Sequence, residues 1–322
     1  TIIQVEWLKT RLRYCLLHRI RRIDKSTQQL REFKVETTPE SLVSGIDRLV
    51  SLPEVSIKIN LLLMQGDYSS SSLADIIAHD SDISARLLRL VNSSFYGLPS
   101  KIDTIQRAVT VAGAHEVRNL VMATTAMRTF SGIPGELIQM EDFWRHAVMT
   151  GVLAQTISER CHTLHSDRLF VAGMLHDLGR LVIYLALPDK AKEILFITGG
   201  DEWILAETEQ EILGFSHTDV GAELFKAWGL PESFQSISRY HHQPQQATDH
   251  QHDIAIVHIA LAIARGQMVG FSIDEMLWAI EPSAWDITGL NADSLSPFLP
   301  DMLQKSEDAV AMFTSPGARK TA

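Results

Sequence analysis

The stretch Leu169-Phe170-Val171-Ala172-Gly173-Met174-Leu175-His176-Asp177-Leu178-Gly179-Arg180 decides how the rest of the chain is read. Its apolar residues run without a polar break until an imidazole, a carboxylate and a guanidinium arrive within five positions. Strict alternation is absent, so the run predicts a helix buried on most sides and not a strand. A histidine and an aspartate side by side in such a segment are costly to bury unless they bind a metal or bond to each other. Two readings are therefore open for His176-Asp177: a pair of metal ligands, or a hydrogen-bonded pair between packed helices.

Outward from this point the same pattern continues. Apolar residues recur at three- and four-residue steps in Leu73–Ala78, Ile83–Val91, Ile105–Val111, Glu116–Thr129, Phe143–Glu159 and Ile254–Ala264, with Gly, Pro, Ser or Asp at the breaks. The expected fold class is all-α. Ser69–Ser72 predicts a loop ending in a helix cap, and Ile133-Pro134-Gly135 is the clearest interior boundary. From 271 onward Pro282, Pro297, Pro300 and Pro316 interrupt the pattern, which predicts short helices, loops and a frayed end. Residues 1–36 carry nine Lys/Arg against four acids, a local +5 that leaves −15 for the remainder of a chain with net charge −10. Leu8, Leu12, Cys15, Leu16, Ile20 and Ile23 lie at helical spacing there. This predicts a basic amphipathic helix that packs on the acidic remainder or docks on a partner or a membrane surface.

Composition excludes several classes. Hydrophobic residues make up 45% and charged residues 21% of the 322, as in a folded globular chain. The acidic balance argues against wrapping nucleic acid. Two cysteines, Cys15 and Cys161, form no disulfide framework and favour a reducing compartment. Leu169–Pro188 is interrupted by His176, Asp177 and Arg180, and Ile254–Ala264 is too short, so no membrane span is expected. With charges inside its first turns the chain shows no signal peptide, and a cytoplasmic location is expected.

The histidines narrow the chemistry. His146 lies in the first turns of an apolar helix, and His217 opens another, with Ser216 placed to cap it and Asp219 in its first turn. His241-His242 closes the helix that begins at Pro231. Imidazole and carboxylate drawn from several helices suit zinc, manganese or iron and not calcium. Cys161-His162-Thr163-Leu164-His165 has no second ligand pair at zinc-finger spacing and reads as a loop. His250-Gln251-His252-Asp253 reads as a solvated helix start. Trp203, Trp228, Trp278 and Trp285 read as core or interface aromatics.

The order His146, His176-Asp177, His217, His241-His242 resembles the HD superfamily of metal-dependent phosphohydrolases. The surrounding text is similar to one branch of it, the HDOD (HD-related output) domain. The matching stretches are Ser51–Val55, Ile83–Ser93, Trp144-Arg145-His146, Ala172–Arg180, Leu213–His217, Trp228–Pro231 and Tyr240–His242, spread over about 45 to 265. The resemblance implies an N-terminal helical lobe over 39–134 and an HD-like helical core over 135–268. Charge and proline pattern add a basic amphipathic helix and linker over 1–38 and C-terminal short helices and a tail over 269–322. By likeness to the catalytic HD-GYP relatives, His146, His176, Asp177, His217, His241 and His242 fall on metal-ligand positions, for one or two ions of iron, zinc or manganese. Asp142 falls where an extra carboxylate can ligate, and Arg180 falls on a phosphate-contacting lysine, so Asp177 and Arg180 are the candidate catalytic pair. Two departures matter. The last ligand carboxylate is replaced by Leu261 in His258-Ile259-Ala260-Leu261, with His258 one turn away as a substitute or an ordinary helix histidine. Gln243-Pro244-Gln245-Gln246 stands where the HD-GYP enzymes carry their Gly-Tyr-Pro loop, which argues against cyclic di-GMP hydrolysis.

The resemblance therefore implies a bacterial signal-transduction output module, non-catalytic or weakly active. It would act through a protein partner, a nucleotide ligand or a second copy of itself. The competing expectation is a metal-dependent phosphohydrolase acting on a nucleotide or cyclic dinucleotide.

Overall fold

The computed structural model describes residues 37–46, 54–66, 68–92, 101–130, 133–162 and 166–314; the basic segment 1–36 lies outside them. Every regular element among the described residues is helical, as the apolar periodicity predicts. The first group is α1 (Pro39–Ser44), α2 (Glu54–Gln65), α3 (Ser70–Ala78), α4 (Ser81–Val91), α5 (Ile105–Ala112) and α6 (Ala114–Thr129). Then come α7 (Met140–Arg160), α8 (Asp167–Leu175), α9 (Leu178–Ala186), α10 (Pro188–Thr198), α11 (Leu205–Leu213), α12 (His217–Ala227), α13 (Glu232–Tyr240) and α14 (Gln251–Met268). The chain closes with α15 (Ile273–Trp278), α16 (Pro282–Thr288), α17 (Ala292–Leu295) and α18 (Leu299–Thr314).

Local sequence sets where these helices begin. Thr38 caps α1 with Ser41 reciprocating, Ser69 caps α3 with Ser72, and Ser216 caps α12 with Asp219. In each case a hydroxyl satisfies a backbone N–H that the first turn leaves unpaired. Pro39, Pro188 and Pro282 occupy first-turn positions, where a missing N–H costs nothing. The same rule corrects the reading of the C-terminal end. Pro300 lies in the first turn of α18, so it starts a 16-residue helix where a break was expected.

Helix α7 is the axis of the larger half, with α8, α14 and α18 packed on it. It is buried along most of its length from Phe143 to Ser158. Two close approaches depend on glycine. A Cβ on Gly151 of α7 would lie 2.4 Å from the Phe170 carbonyl oxygen of α8. A Cβ on Gly179 of α9 would lie 1.9 Å from the His217 carbonyl oxygen and 2.6 Å from the Gly221 nitrogen of α12. No side chain fits at either place. These contacts draw the helices carrying His146, His176-Asp177 and His217 to one point. The segment Arg168–Ala186 has the length and apolarity of a membrane span. It is nevertheless two helices broken at His176-Asp177, and most of it is buried against the rest of the protein.

Candidate metal centre

His176 and Asp177 occupy the break between α8 and α9, where the chain turns and both side chains point inward with almost no exposure. His146 comes from α7, His217 from the first residue of α12, and His241 and His242 from the end of α13. Two groups of potential ligand atoms result: His146, His176 and Asp177, and His217, His241 and His242, with the atoms of each within 4.8 Å of one another. Asp177 joins them. Its Oδ1 lies 3.3 Å from His217 Nε2 and 3.8 Å from His241 Nε2, and its Oδ2 lies 3.9 Å from His176 Nε2. Two donors bound tetrahedrally to one ion at about 2.1 Å sit roughly 3.4 Å apart, so these spacings suit an ion at their centre.

The hydrogen bonds aim the rings. The Nδ1–H of His176 donates to the Gly173 carbonyl at 2.6 Å, and that of His241 to the Ser238 carbonyl at 2.8 Å. His217 Nδ1–H donates to Glu209 Oε2 at 2.5 Å, and its backbone N–H donates to the same oxygen at 2.7 Å. In His176 and His241 this holds the proton on Nδ1 and leaves the Nε2 lone pair to face the centre, whereas His217 Nε2 lies 3.1 Å from His242 Nε2 and 3.3 Å from Asp177 Oδ1. Several atoms here lack partners: His176 Nε2, His241 Nε2, Asp177 Oδ1 and both ring nitrogens of His146 are buried without a hydrogen bond. Five orphaned polar atoms around one point are expensive to bury. A divalent cation would take one nitrogen from each of the three imidazoles and the carboxylate oxygen, and this donor set suits zinc, iron or manganese.

Electrostatics favours the same binding form. Burial lowers His146 to about 3, and burial also lowers His176 and, further, His241 against the pull of Asp177. These rings are therefore neutral and hold free lone pairs. Burial works against the charge on Asp177, but His176, Arg180 and the other imidazoles hold its carboxyl well below the usual range. His217 is raised: burial opposes the proton, and Glu209 and Asp177 outweigh it.

The remaining candidates fall in different places. Asp142 lies one turn before His146 but is exposed, on the rim of a pocket of about 230 Å³ that reaches His146 and Arg180; it joins neither ligand group. Arg180 is buried and shared between two carboxylates, with Nη1 3.1 Å from both Asp177 Oδ2 and Glu202 Oε1. His258 is not free to act as a ligand. Its Nδ1–H donates to the His241 carbonyl at 2.7 Å and its Nε2 accepts the Glu281 N–H at 3.3 Å, so both nitrogens are used by backbone. On α14, His258 reaches His241 and Arg265 reaches Glu202, and Leu261 lies between them on that face. Leu261 is fully buried yet outside the continuous apolar core.

Three residues at the site were not foreseen. Glu209 lies among Glu207 and Glu211 in α11 and looks like part of a solvated acidic face; only the fold shows it fully buried against His217. Nothing in the sequence singles out Glu202 or Arg265. Two other expectations are corrected. Asp253 is buried and paired with Arg168 at 2.5 Å, so 250–253 is not wholly solvated. Trp203 and Trp278 are about half exposed, at 42% and 51%, unlike the buried Trp228.

Glu209→Gln tests the aim of the His217 ring. The amide keeps the shape but presents an N–H or a weaker acceptor to Nδ1, so the tautomer is no longer fixed. Metal affinity should fall about 10- to 100-fold, the range for partners that orient a ligand, as read by competition with a chromogenic chelator. Unchanged affinity would show that Glu209 only stabilises the fold.

Known proteins place the chain in a family. The HDOD domain profile matches residues 49–244. An uncharacterized protein of Treponema pallidum (strain Nichols) is 27% identical over 225 residues, which cover 68% of this chain and 42% of that relative. The chain thus spans well under half of the relative's length. Among solved structures, an HDOD domain protein of unknown function from Geobacter sulfurreducens superposes with a TM-score of 0.71 at 21% identity, covering 86% of this chain and 99% of the other. A Shewanella amazonensis protein provisionally named a phosphohydrolase gives 0.69 at 23% identity, covering 85% and 98%. A provisionally named signal-transduction protein from Marinobacter aquaeolei gives 0.67 at 18% identity, covering 91% and 65%. At these identities the structural likeness speaks for the fold, and the profile match, which spans more than half of the chain, establishes that the protein belongs to the HDOD family.

Proposed function

We propose that this protein is a signal-transduction output module whose HD-type centre, built from His146, His176, Asp177, His217, His241 and His242, holds a metal ion with little or no hydrolytic turnover. The observation that carries this reading is the face of α14. Where a carboxylate would complete the ligand set the chain presents Leu261, and the one nearby alternative, His258, is used by backbone on both nitrogens. A bound metal would supply Lewis acidity and an activated water. Asp177 would provide the charged ligand at the junction of the two groups, and the histidines would be held in register by their Nδ1 hydrogen bonds. Asp142 stays at the pocket rim, available to a ligand there. The division into a lobe over 39–134 and a core over 135–268 belongs to the same proposal, as does action through a protein partner.

The competing reading, a phosphohydrolase acting on a nucleotide, draws on the orphaned ligand atoms and on Arg180 beside Asp177. Arg180 is nevertheless already bound by two carboxylates, Asp177 and Glu202, and cannot take a substrate phosphate while both hold it. The deciding experiment purifies the chain without chelator or metal-affinity resin, measures its metal content, and assays generic phosphodiesters and nucleotides. One to two equivalents of metal with no turnover support an output module. Turnover that follows metal loading would replace that reading with the phosphohydrolase, and absence of metal uptake would remove the centre itself.

A further inference from the structure

Between α10 and α11 the chain runs Gly199-Gly200-Asp201-Glu202-Trp203-Ile204, and Gly200, Asp201 and Glu202 line the pocket that reaches His146 and Arg180. Glu202 reaches inward from it: Oε1 lies 3.1 Å from Arg180 Nη1, and Oε2 lies 3.1 Å from Arg265 Nε. Its backbone carbonyl accepts from Arg265 Nη1 at 3.5 Å, and the Trp203 ring stacks on the Arg265 guanidinium at 4.9 Å. Both arginine side chains are only 6% exposed, and they approach from different helices, α9 and α14.

The carboxylate fits this place poorly. Arg180 Nε and Arg265 Nε are both buried without a hydrogen bond, and the Arg265 Nε contact to Oε2 lacks hydrogen-bond geometry. Asp177 shares Arg180 Nη1, and the one planar carboxylate of Glu202 spans both guanidinium forks without hydrogen-bonding either Nε. A phosphoryl group presents three oxygens in a tetrahedral arrangement and up to two charges, which matches the donors left over. The segment carrying Glu202 is joined to α10 by two glycines. Its joints, Gly199 and Gly200, are in the left-handed region at φ 61° and 83°, with nothing within 4 Å of where a Cβ would stand. Beside it the pocket offers apolar wall from Leu137, Phe143, Leu205 and Met268, enough to contact an organic group joined to the phosphate.

We propose that residues 199–204 are a strap whose Glu202 carboxylate occupies an anion cradle formed by Arg180 and Arg265, and that a phosphoryl group displaces it, lifting the strap, Trp203 with it, away from the pocket that reaches His146 and Arg180. This rests on reading the centre as a regulatory site, and it gives that site its signal. Binding is exchange of one anion for another, with no bond made or broken.

The test titrates the full chain with inorganic phosphate and, separately, with a nucleoside 5′-monophosphate, by calorimetry and tryptophan emission. Glu202→Gln removes the competing charge and should bind phosphate about tenfold more tightly than the parent. Gly200→Ala strains the closed strap without a clash and should shift affinity the same way by about threefold, which keeps the test alive if Glu202→Gln folds badly. Arg265→Gln should lose binding. Trp203→Phe should lose most of the emission change while phosphate binding remains visible by calorimetry. A tighter monophosphate assigns the signal to a nucleotide, and equal affinities assign it to free phosphate. Phosphate binding no tighter than the parent in both Glu202→Gln and Gly200→Ala overturns the strap. Metal content measured on the same samples reports separately on the centre, because Glu202 and Gly200 are not among its ligands.

Discussion

Asp177→Asn should give a folded protein that no longer holds metal, with affinity lowered at least about 100-fold, beyond the usual effect of a residue that merely orients a ligand. Asp177 is the one charged donor between the two ligand groups, its Oδ1 facing His217 and His241 and its Oδ2 facing His176 and Arg180. An amide of the same shape keeps one carbonyl for Arg180 Nη1 but removes the negative charge that balances a divalent ion. Asparagine is a cleaner test than alanine, because emptying the position leaves Arg180 short of a buried partner, a loss of about 3–5 kcal/mol that could unfold the protein by itself. The thermal readout separates the two effects. Metal bound at 100 times its Kd stabilises the parent by about 2.7 kcal/mol, so a chelator should lower the parent's Tm and leave that of Asp177→Asn unmoved. A variant that still binds a full complement of metal would show that the ion, if any, does not sit at Asp177.

The contrast between Asp177 and Glu209 shows what the sequence could and could not disclose. His176-Asp177 stands out because two polar residues interrupt an apolar run, and the helices on either side are legible from their periodicity. His146, His217 and His241-His242 are legible as companions through their order and surrounding text. Glu209 is invisible by the same logic: eight residues before His217, among other acids, it has the pattern of a solvated face. Its burial follows from how α11 meets α12, a contact between helices that no local pattern encodes. Glu202 and Arg265 are 63 positions apart and acquire their meaning only when the turn after α10 lies across α14. Asp142 shows the reverse failure. Its spacing from His146 is correct for a shared helix face, but it lies near the start of α7, where the helix emerges from the core, and its side chain remains in solvent.

Leu261→Asp should tighten metal binding about 10- to 100-fold while weakening the metal-free protein. The two effects have one cause. Leu261 is fully buried on the face of α14 that carries His258 and Arg265, so the variant gives up the packing of a buried leucine, worth about 2–5 kcal/mol when lost, and places a carboxylate among histidines. Without metal that carboxylate is unpaired and costly; with metal it becomes a ligand, and stability returns. The difference in Tm between metal-loaded and chelated protein should therefore be larger in Leu261→Asp than in the parent. Leu261→Asn, which loses the same packing but adds no charge, should show the weakening without the gain. If Leu261→Asp binds metal no better than Leu261→Asn, the side chain at 261 does not face the ion and its reading as a lost ligand fails. If it binds tightly and begins to hydrolyse a phosphodiester, Leu261 is the residue that silences the centre. Tight binding without turnover instead places the block at Arg180, whose guanidinium is already held by Asp177 and Glu202 and cannot take a substrate phosphate until one of them lets go.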